Sequence, residues 1–365
     1  MLAATAILGT ACQPPTQGER QGLASPTPCR ESQTAPQFAP SAPSNRNLAL
    51  IQFKGSQQLA VRDFTDILNP VTVTKLYHAG LYTQFVTGSD LSYVDEKAVV
   101  RMPFAGSPRT VVACKSAFAL AWNADGTAAA YVTRADSSGR NDLHVVTGGQ
   151  DRALSSMTGN VITGCESPAC AETIFVRLAY SPNGKYISYV QTWGGPVFRL
   201  WQPDGTLIKS IDSRGGLSPL TPSMAVWSGN SLYWRDGKGV AMWRDGAESA
   251  VLPDVAWIAP SASPGGGKIV YTARDAGLPV VYILDTTSGR ARELKKSRSG
   301  AAFLNSHLIW YREERGCVAG DPYPCGERPT TPSGKTYIYD LDDKTETESV
   351  IAAVFDVWPR GAESL

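Results

Sequence analysis

The chain has 365 residues, 42% of them hydrophobic and 18% charged. That is enough apolar material for a sizeable core, with fewer charges than the roughly one residue in four usual for soluble domains. Lys and Arg total 34 against 33 Asp and Glu, a formal net charge of +1. This balance excludes a basic field for nucleic acid and an acidic solvating tail. No run reaches the ~18–20 apolar residues of a membrane-spanning helix. The 34 Gly and 25 Pro predict many turns, hence many short strands.

The N-terminus reads as an address. Met1 to Ala11, MLAATAILGTA, is an apolar run ending in small residues, and Cys12 follows. It resembles the end of a bacterial lipoprotein signal, in which the cysteine becomes the lipidated first residue of the mature chain. Gly9 stands where such signals usually carry Leu, with Leu8 one place further out, and no positive segment precedes the apolar run. The expectation is a true start upstream of Met1. The competing reading is a short hydrophobic N-terminus with a chance cysteine. Between residues 13 and 45 there are seven prolines and one aromatic, Phe38. Such a stretch buries too little apolar surface to offset its ordering entropy. Residues 1–11 are therefore read as a signal remnant, 12–46 as a disordered Pro/Ser-rich tether, and 47–361 as the folded body. The expected setting is the bacterial cell envelope, periplasmic or surface-exposed, with a membrane contact through the lipid anchor. Stable anchoring takes more than one acyl chain.

Six further cysteines fit an oxidising compartment. Cys165 and Cys170 bracket ESPA; Cys317 and Cys325 bracket VAGDPYP. A local disulfide is the first reading of each pair. Cys29 and Cys114 remain and could pair with each other, but six cysteines allow fifteen pairings. Zinc is the competing reading. Neither spacing is C-x2-C, and the only histidines, His78, His144 and His307, lie far apart. No metal or other cofactor is expected.

A repeat runs through the body. LAWNADGTAAAYVTRAD (120–136), LAYSPNGKYISYVQTW (178–193) and PSASPGGGKIVYTARD (260–275) each give an apolar strand, a turn with Gly, and a second strand ending Tyr-x-x-polar. Weaker copies lie at 85–96, 225–237 and 303–314. The turn anchors Gly88, Gly126, Gly184, Gly229, Gly267 and Asn305 are mostly 38–45 residues apart, with one interval of 58. About 40–45 residues and four strands per unit is the signature of a β-propeller. VFDVWPRG (354–361) looks like a first strand without its second. NLALIQF (47–53) looks like a second strand without its first. One blade stitched from both ends closes the ring. The predicted fold is an all-β, seven-bladed propeller, with six or eight blades as the alternative counts.

Tyr93, Tyr131, Tyr189, Tyr233, Tyr271 and Trp310 hold corresponding places in the second strands and are expected to pack between blades. A ring of ligand-stacking aromatics is the other reading. Arg134, Arg235, Arg274 and Arg312 close the same strands. They are read as solvated ends pairing with Asp136, Asp236, Asp275 and Glu313, or else as an anion-binding ring. The segments around SPNGKYISYV resemble the propeller repeats of TolB, the periplasmic component of the Tol–Pal system, and those of prolyl-oligopeptidase-type enzymes. The TolB resemblance implies a non-catalytic periplasmic propeller that docks other proteins. TolB-like proteins carry a small α/β domain before the propeller, and residues 13–45 are too short and too proline-rich to be one.

In a four-stranded blade, loops after the second and fourth strands share one face. Residues 158–174, 313–334, 135–142 and 192–196 are all predicted there. This decorated face is the candidate partner-binding surface for envelope proteins, with Arg140, Glu166, Trp193, Asp321 and Tyr323 as contacts. The tether joins on the opposite face. Catalytic signatures are weak. There is no G-x-S-x-G elbow, and NADGTAAAY and QPDGTL match a sialidase Asp-box only in part. DSSGRND (136–142) lacks EF-hand spacing, and Asp342 and Asp343 sit in a predicted turn. The expectation is a non-enzymatic scaffold. The alternative is a secreted propeller hydrolase, glycan-active or lactonase-like, with carboxylates at the central channel.

Overall fold

A computed structural model describes residues 46–76, 81–95, 98–113, 117–133, 140–158, 176–191, 197–212, 225–236, 238–316 and 330–359. They form twenty-eight strands in seven four-stranded antiparallel sheets, with no helix among them. From the inside outward, blade 1 is β28 (Ile351–Trp358), β1 (Leu48–Phe53), β2 (Leu59–Asp63) and β3 (Val71–Leu76). Blade 2 is β4 (Leu81–Thr87), β5 (Asp90–Asp95), β6 (Ala98–Pro103) and β7 (Arg109–Ala113). Blade 3 is β8 (Ala117–Trp122), β9 (Ala129–Thr133), β10 (Arg140–Thr147) and β11 (Gln150–Thr158). Blade 4 is β12 (Val176–Tyr180), β13 (Ile187–Gln191), β14 (Val197–Trp201) and β15 (Leu207–Asp212). Blade 5 is β16 (Ala225–Ser228), β17 (Ser231–Asp236), β18 (Gly239–Arg244) and β19 (Ala247–Pro253). Blade 6 is β20 (Ile258–Ala262), β21 (Lys268–Asp275), β22 (Leu278–Asp285) and β23 (Arg290–Lys296). Blade 7 is β24 (Arg298–Phe303), β25 (Leu308–Gly316), β26 (Thr330–Asp340) and β27 (Glu346–Glu348).

The predicted closure is present. β28 lies antiparallel to β1, with Leu48 opposite Trp358, Leu50 opposite Asp356 and Ile51 opposite Val354. The closing strand is also fastened sideways. Asp356 Oδ2 accepts the Phe85 N–H at 2.8 Å, from the inner strand of blade 2. Trp310 Nε1 donates to the Ile351 carbonyl at 3.0 Å, from blade 7. The closing strand is thus held to its own blade by β1 and to both flanking blades by side chains.

Seven apolar clusters fill the seven blade-to-blade interfaces. Five of the six repeated aromatics, all but the half-buried Tyr93, lie within them as blade-to-blade packing. Their placement differs from the sequence alignment in one respect. Tyr131, Tyr189 and Tyr271 face the preceding blade. Tyr233 and Trp310 face the following one, while Trp234 and Tyr311 take the preceding-blade position. Side chains alternate faces along a strand, so a one-residue offset exchanges the two sides. The cause lies in the turns. In blades 3, 4 and 6 the turn glycine is held by the residue three before it, Gly126 to Asn123, Gly184 to Ser181 and Gly266 to Ser263. Gly266, not Gly267, is thus the anchor. Blade 5 instead turns in two residues, between Ser228 and Ser231.

Among the described residues, Arg274 and Arg312 do not make the expected pairs with Asp275 and Glu313. Arg274 donates to the Gly277 carbonyl of its own hairpin at 2.9 Å. Arg312 lies over the Trp310 ring, 5.6 Å from its centroid. Burial pushes the Arg235 guanidinium below its usual range. Arg134 lies outside the described residues.

Candidate functional site

The inner strands surround a central channel, and a cavity of about 270 Å³ opens within it. β4, β8, β12, β16, β20 and β28 all contribute to its wall. Large apolar groups dominate: Trp122, Leu178, Tyr180, Trp227 and Phe355. The inner strands alternate between the two interfaces flanking each blade, so channel-facing groups are few and fixed by their neighbours. Trp227 Nε1 donates to Ser188 Oγ at 3.0 Å, and its ring stacks on Tyr186. Gln84 Nε2 donates to the Leu120 carbonyl at 2.6 Å, joining blades 2 and 3. Burial pushes the Tyr180 phenol well above its usual range, which keeps it neutral.

Two charged side chains line the cavity, Arg177 from β12 and Asp356 from β28. Five inner segments, FALAW, RLAYS, SMAVW, AWIAPSAS and GAAFL, read as nearly free of acids and histidine. β28, outside these five, brings Asp356, whose carboxylate accepts the Phe85 N–H. Among the described residues lining the cavity it is the only carboxylate. Among the described residues no three His, Cys, Asp or Glu side chains come together as a metal would need.

Two polar clusters escaped sequence reading. In blade 3, Tyr131 Oη donates to Asp151 Oδ2 at 2.6 Å, and His144 Nδ1 lies 3.1 Å from Asp151 Oδ1. The His144 and Tyr131 rings stack with centroids 4.8 Å apart. The His144/Asp151 spacing across the Gly148–Gly149 hairpin was the signal available. In blade 7, Arg298 bonds Glu346 at 2.7 Å and Glu313 at 3.4 Å, and Lys295 bonds Glu346 at 3.0 Å. The Arg298 guanidinium lies over the Tyr337 ring at 4.6 Å. Burial alone would raise the Glu346 pKa, but the hydrogen bonds and charges of Arg298 and Lys295 hold it below the usual carboxylate range. These residues are distant in sequence, and no motif joins them.

Antiparallel pairing fixes which strand ends share a face. The ends flanking 159–175 (Thr158, Val176), 192–196 (Gln191, Val197) and 317–329 (Gly316, Thr330) lie on one side of the ring. Arg140, at the start of β10 opposite Thr158, lies on that side too. Glu166, Trp193, Asp321 and Tyr323 fall outside the described residues, as do Cys12, Cys29, Cys114, Cys165, Cys170, Cys317 and Cys325. Arg46 and Asn47, which lead into β1, lie on the opposite side.

No protein family matches the chain, and no curated protein matches it. Solved structures do. A prolyl endopeptidase structure aligns at 12% identity and TM-score 0.53, over 87% of this chain and 50% of that one. Prolyl oligopeptidase B from Galerina marginata aligns at 11% identity and TM-score 0.51, over 88% and 51%. TolB from Acinetobacter baumannii aligns at 15% identity and TM-score 0.41, over 67% and 62%. The chain thus spans about half the length of the two peptidases and under two thirds of that TolB. The likeness to the peptidases is one of fold: a closed, seven-bladed β-propeller.

Proposed function

We propose that the chain is a non-catalytic lipoprotein of the bacterial envelope whose propeller is a rigid platform for protein partners. The observation that carries the reading is the composition of the channel. Its large side chains are aromatic and aliphatic, and among the described residues lining it the single carboxylate bonds the Phe85 N–H where the ring closes. A glycan hydrolase needs two carboxylates placed for acid and base roles, and the described lining supplies Asp356 alone. Stacked and interlocked rings such as Trp227 on Tyr186 suit a preorganised surface, which limits the ordering cost of binding.

The partner face is the side from which 159–175, 192–196 and 317–329 depart. On this reading Arg140, Glu166, Trp193, Asp321 and Tyr323 make the contacts, and local disulfides Cys165–Cys170 and Cys317–Cys325 stiffen the loops. Cys12 carries the lipid, and the tether joins the far side. The test is co-purification from membranes of the intact chain and of a chain lacking 159–175 and 317–329. Loss of specific partners with retention of the fold is expected. Every partner remaining in place would overturn the face assignment.

A further inference from the structure

We infer that the β2–β3 loop is a lipid-contact site that seats blade 1 on the bilayer surface. This rests on the anchored reading above and deepens it. Ile67, Leu68 and Val71 are 40%, 85% and 63% exposed, three large apolar side chains within five residues. Among the described residues, the other exposed large apolar side chains, Leu207 and Ile208, Leu278, Val350 and Phe355, lie elsewhere in the fold. Isolated apolar groups on a surface need no explanation, but a cluster at a loop tip does.

The loop presents this tip in a fixed form. Asp66 Oδ1 accepts the Leu68 N–H at 3.0 Å, and its Oδ2 accepts from Asn69 Nδ2 at 3.2 Å. Arg62 donates to the Pro70 carbonyl at 3.1 Å. Behind the tip, Phe64 is buried between blades 1 and 7. The side-chain carboxylates of Asp63 and Asp66 are thus turned into local hydrogen bonds, and the apolar groups point outward.

The same loop holds the point where the tether joins the body. Arg46 Nε bonds Asp63 at 2.8 Å, Asn47 N–H donates to Thr65 Oγ1 at 2.8 Å, and Phe64 N–H donates to the Asn47 carbonyl at 2.7 Å. Thirty-three residues separate Cys12 from Arg46. By random-coil scaling, thirty-three residues reach roughly 30 Å end to end. A body of this size has a radius of gyration of about 20 Å. Turning its opposite face to the bilayer would stretch such a tether round the whole body. The face carrying the tether therefore meets the lipid, and the exposed tip lies beside the tether on that face. Arg46 and Arg62 offset the carboxylates at 63 and 66, and the net charge is only +1, so the surface that fits is zwitterionic lipid, entered by hydrocarbon rather than held by charge.

The experiment separates this site from acylation. The full chain carrying Cys12→Ser and an N-terminal hexahistidine is held on phosphatidylcholine vesicles by a nickel-chelating lipid. Amide hydrogen exchange over 64–71 is compared on and off the vesicles. Exchange is expected to slow several-fold on the vesicles, to remain fast in Leu68→Asp, and to slow further in Leu68→Trp. Because Leu68 is exposed, the Leu68→Asp melting temperature should match the parent. Equal exchange on and off vesicles, equal behaviour of Leu68→Asp and parent, or slowing only when envelope proteins are added would each overturn the site. Acylation is read separately, from the mass of the Cys12 peptide isolated from native membranes. An unmodified Cys12 there would sink the anchor and leave the vesicle result standing.

Discussion

Arg101 offers the sharpest test of how the blades are joined. Its guanidinium bonds Asp90 at 2.5 Å within blade 2 and the Gly126 carbonyl at 2.7 Å in blade 3. It also lies 5.2 Å from the centroid of the Trp122 ring. Both charged side chains are over nine-tenths buried, and the Thr87 hydroxyl also donates to Asp90. Arg101→Met keeps the aliphatic stem and removes the charge, leaving a buried carboxylate with no cation. Breaking a buried pair in this way costs about 3–5 kcal/mol, a large share of the ~5–15 kcal/mol that holds a typical domain together. Replacing both members avoids the stranded charge, so Arg101→Met with Asp90→Leu should recover at least half the loss. Urea unfolding followed by tryptophan fluorescence reads both variants, with near-UV circular dichroism as the second probe. A single-variant loss below about 1 kcal/mol, or a double variant as unstable as the two losses summed, would refute the reasoning.

Gly126 and Gly184 occupy the same turn in neighbouring blades, at φ +72° and +70°, but a Cβ on Gly126 would meet Thr87 Cγ2 at 2.7 Å while one on Gly184 meets open space. Gly184→Ala should cost about 1 kcal/mol from backbone strain alone, and Gly126→Ala about 1–3 kcal/mol more in the same denaturation assay. Glu346 has a folded pKa below its unfolded value, so its contribution is complete above the unfolded pKa and disappears as pH falls through the folded one. Glu346→Gln should therefore lower stability at neutral pH and flatten its fall below about pH 4.5, measured as denaturation midpoint against pH. Removing residues 351–365 takes away β28 and exposes the β1 edge and the blade 7 and blade 2 flanks; loss of the cooperative transition is expected. Asp356→Ala should be milder, about 1–3 kcal/mol, with faster amide exchange at Phe85.

The repeat was legible because each blade reuses one physical solution. An apolar strand, a turn needing a positive φ, and a second apolar strand recur at blade spacing, as at Gly126 and Gly184. The closure was legible for a related reason, since an unmatched first strand at 354–361 and an unmatched second strand at 47–53 have only each other. Strand register was less legible. Tyr233 and Trp310 align with Tyr131 by eye, yet turn length moves them to the other side of the blade. The channel's one carboxylate was also hidden, because Asp356 lies in the terminal strand rather than in the five internal copies.

Composition and local pattern by themselves determined the strand-rich class, the number of blades and the joining of the two ends, because hydrophobic alternation and turn chemistry are properties of neighbours in sequence. Only the tertiary structure decided which residues meet across blades: Arg101 with Gly126, Asp356 with Phe85, Lys295 with Glu346. Those contacts depend on the rotation from one blade to the next and on side-chain reach, and neither is written in the spacing of a repeat.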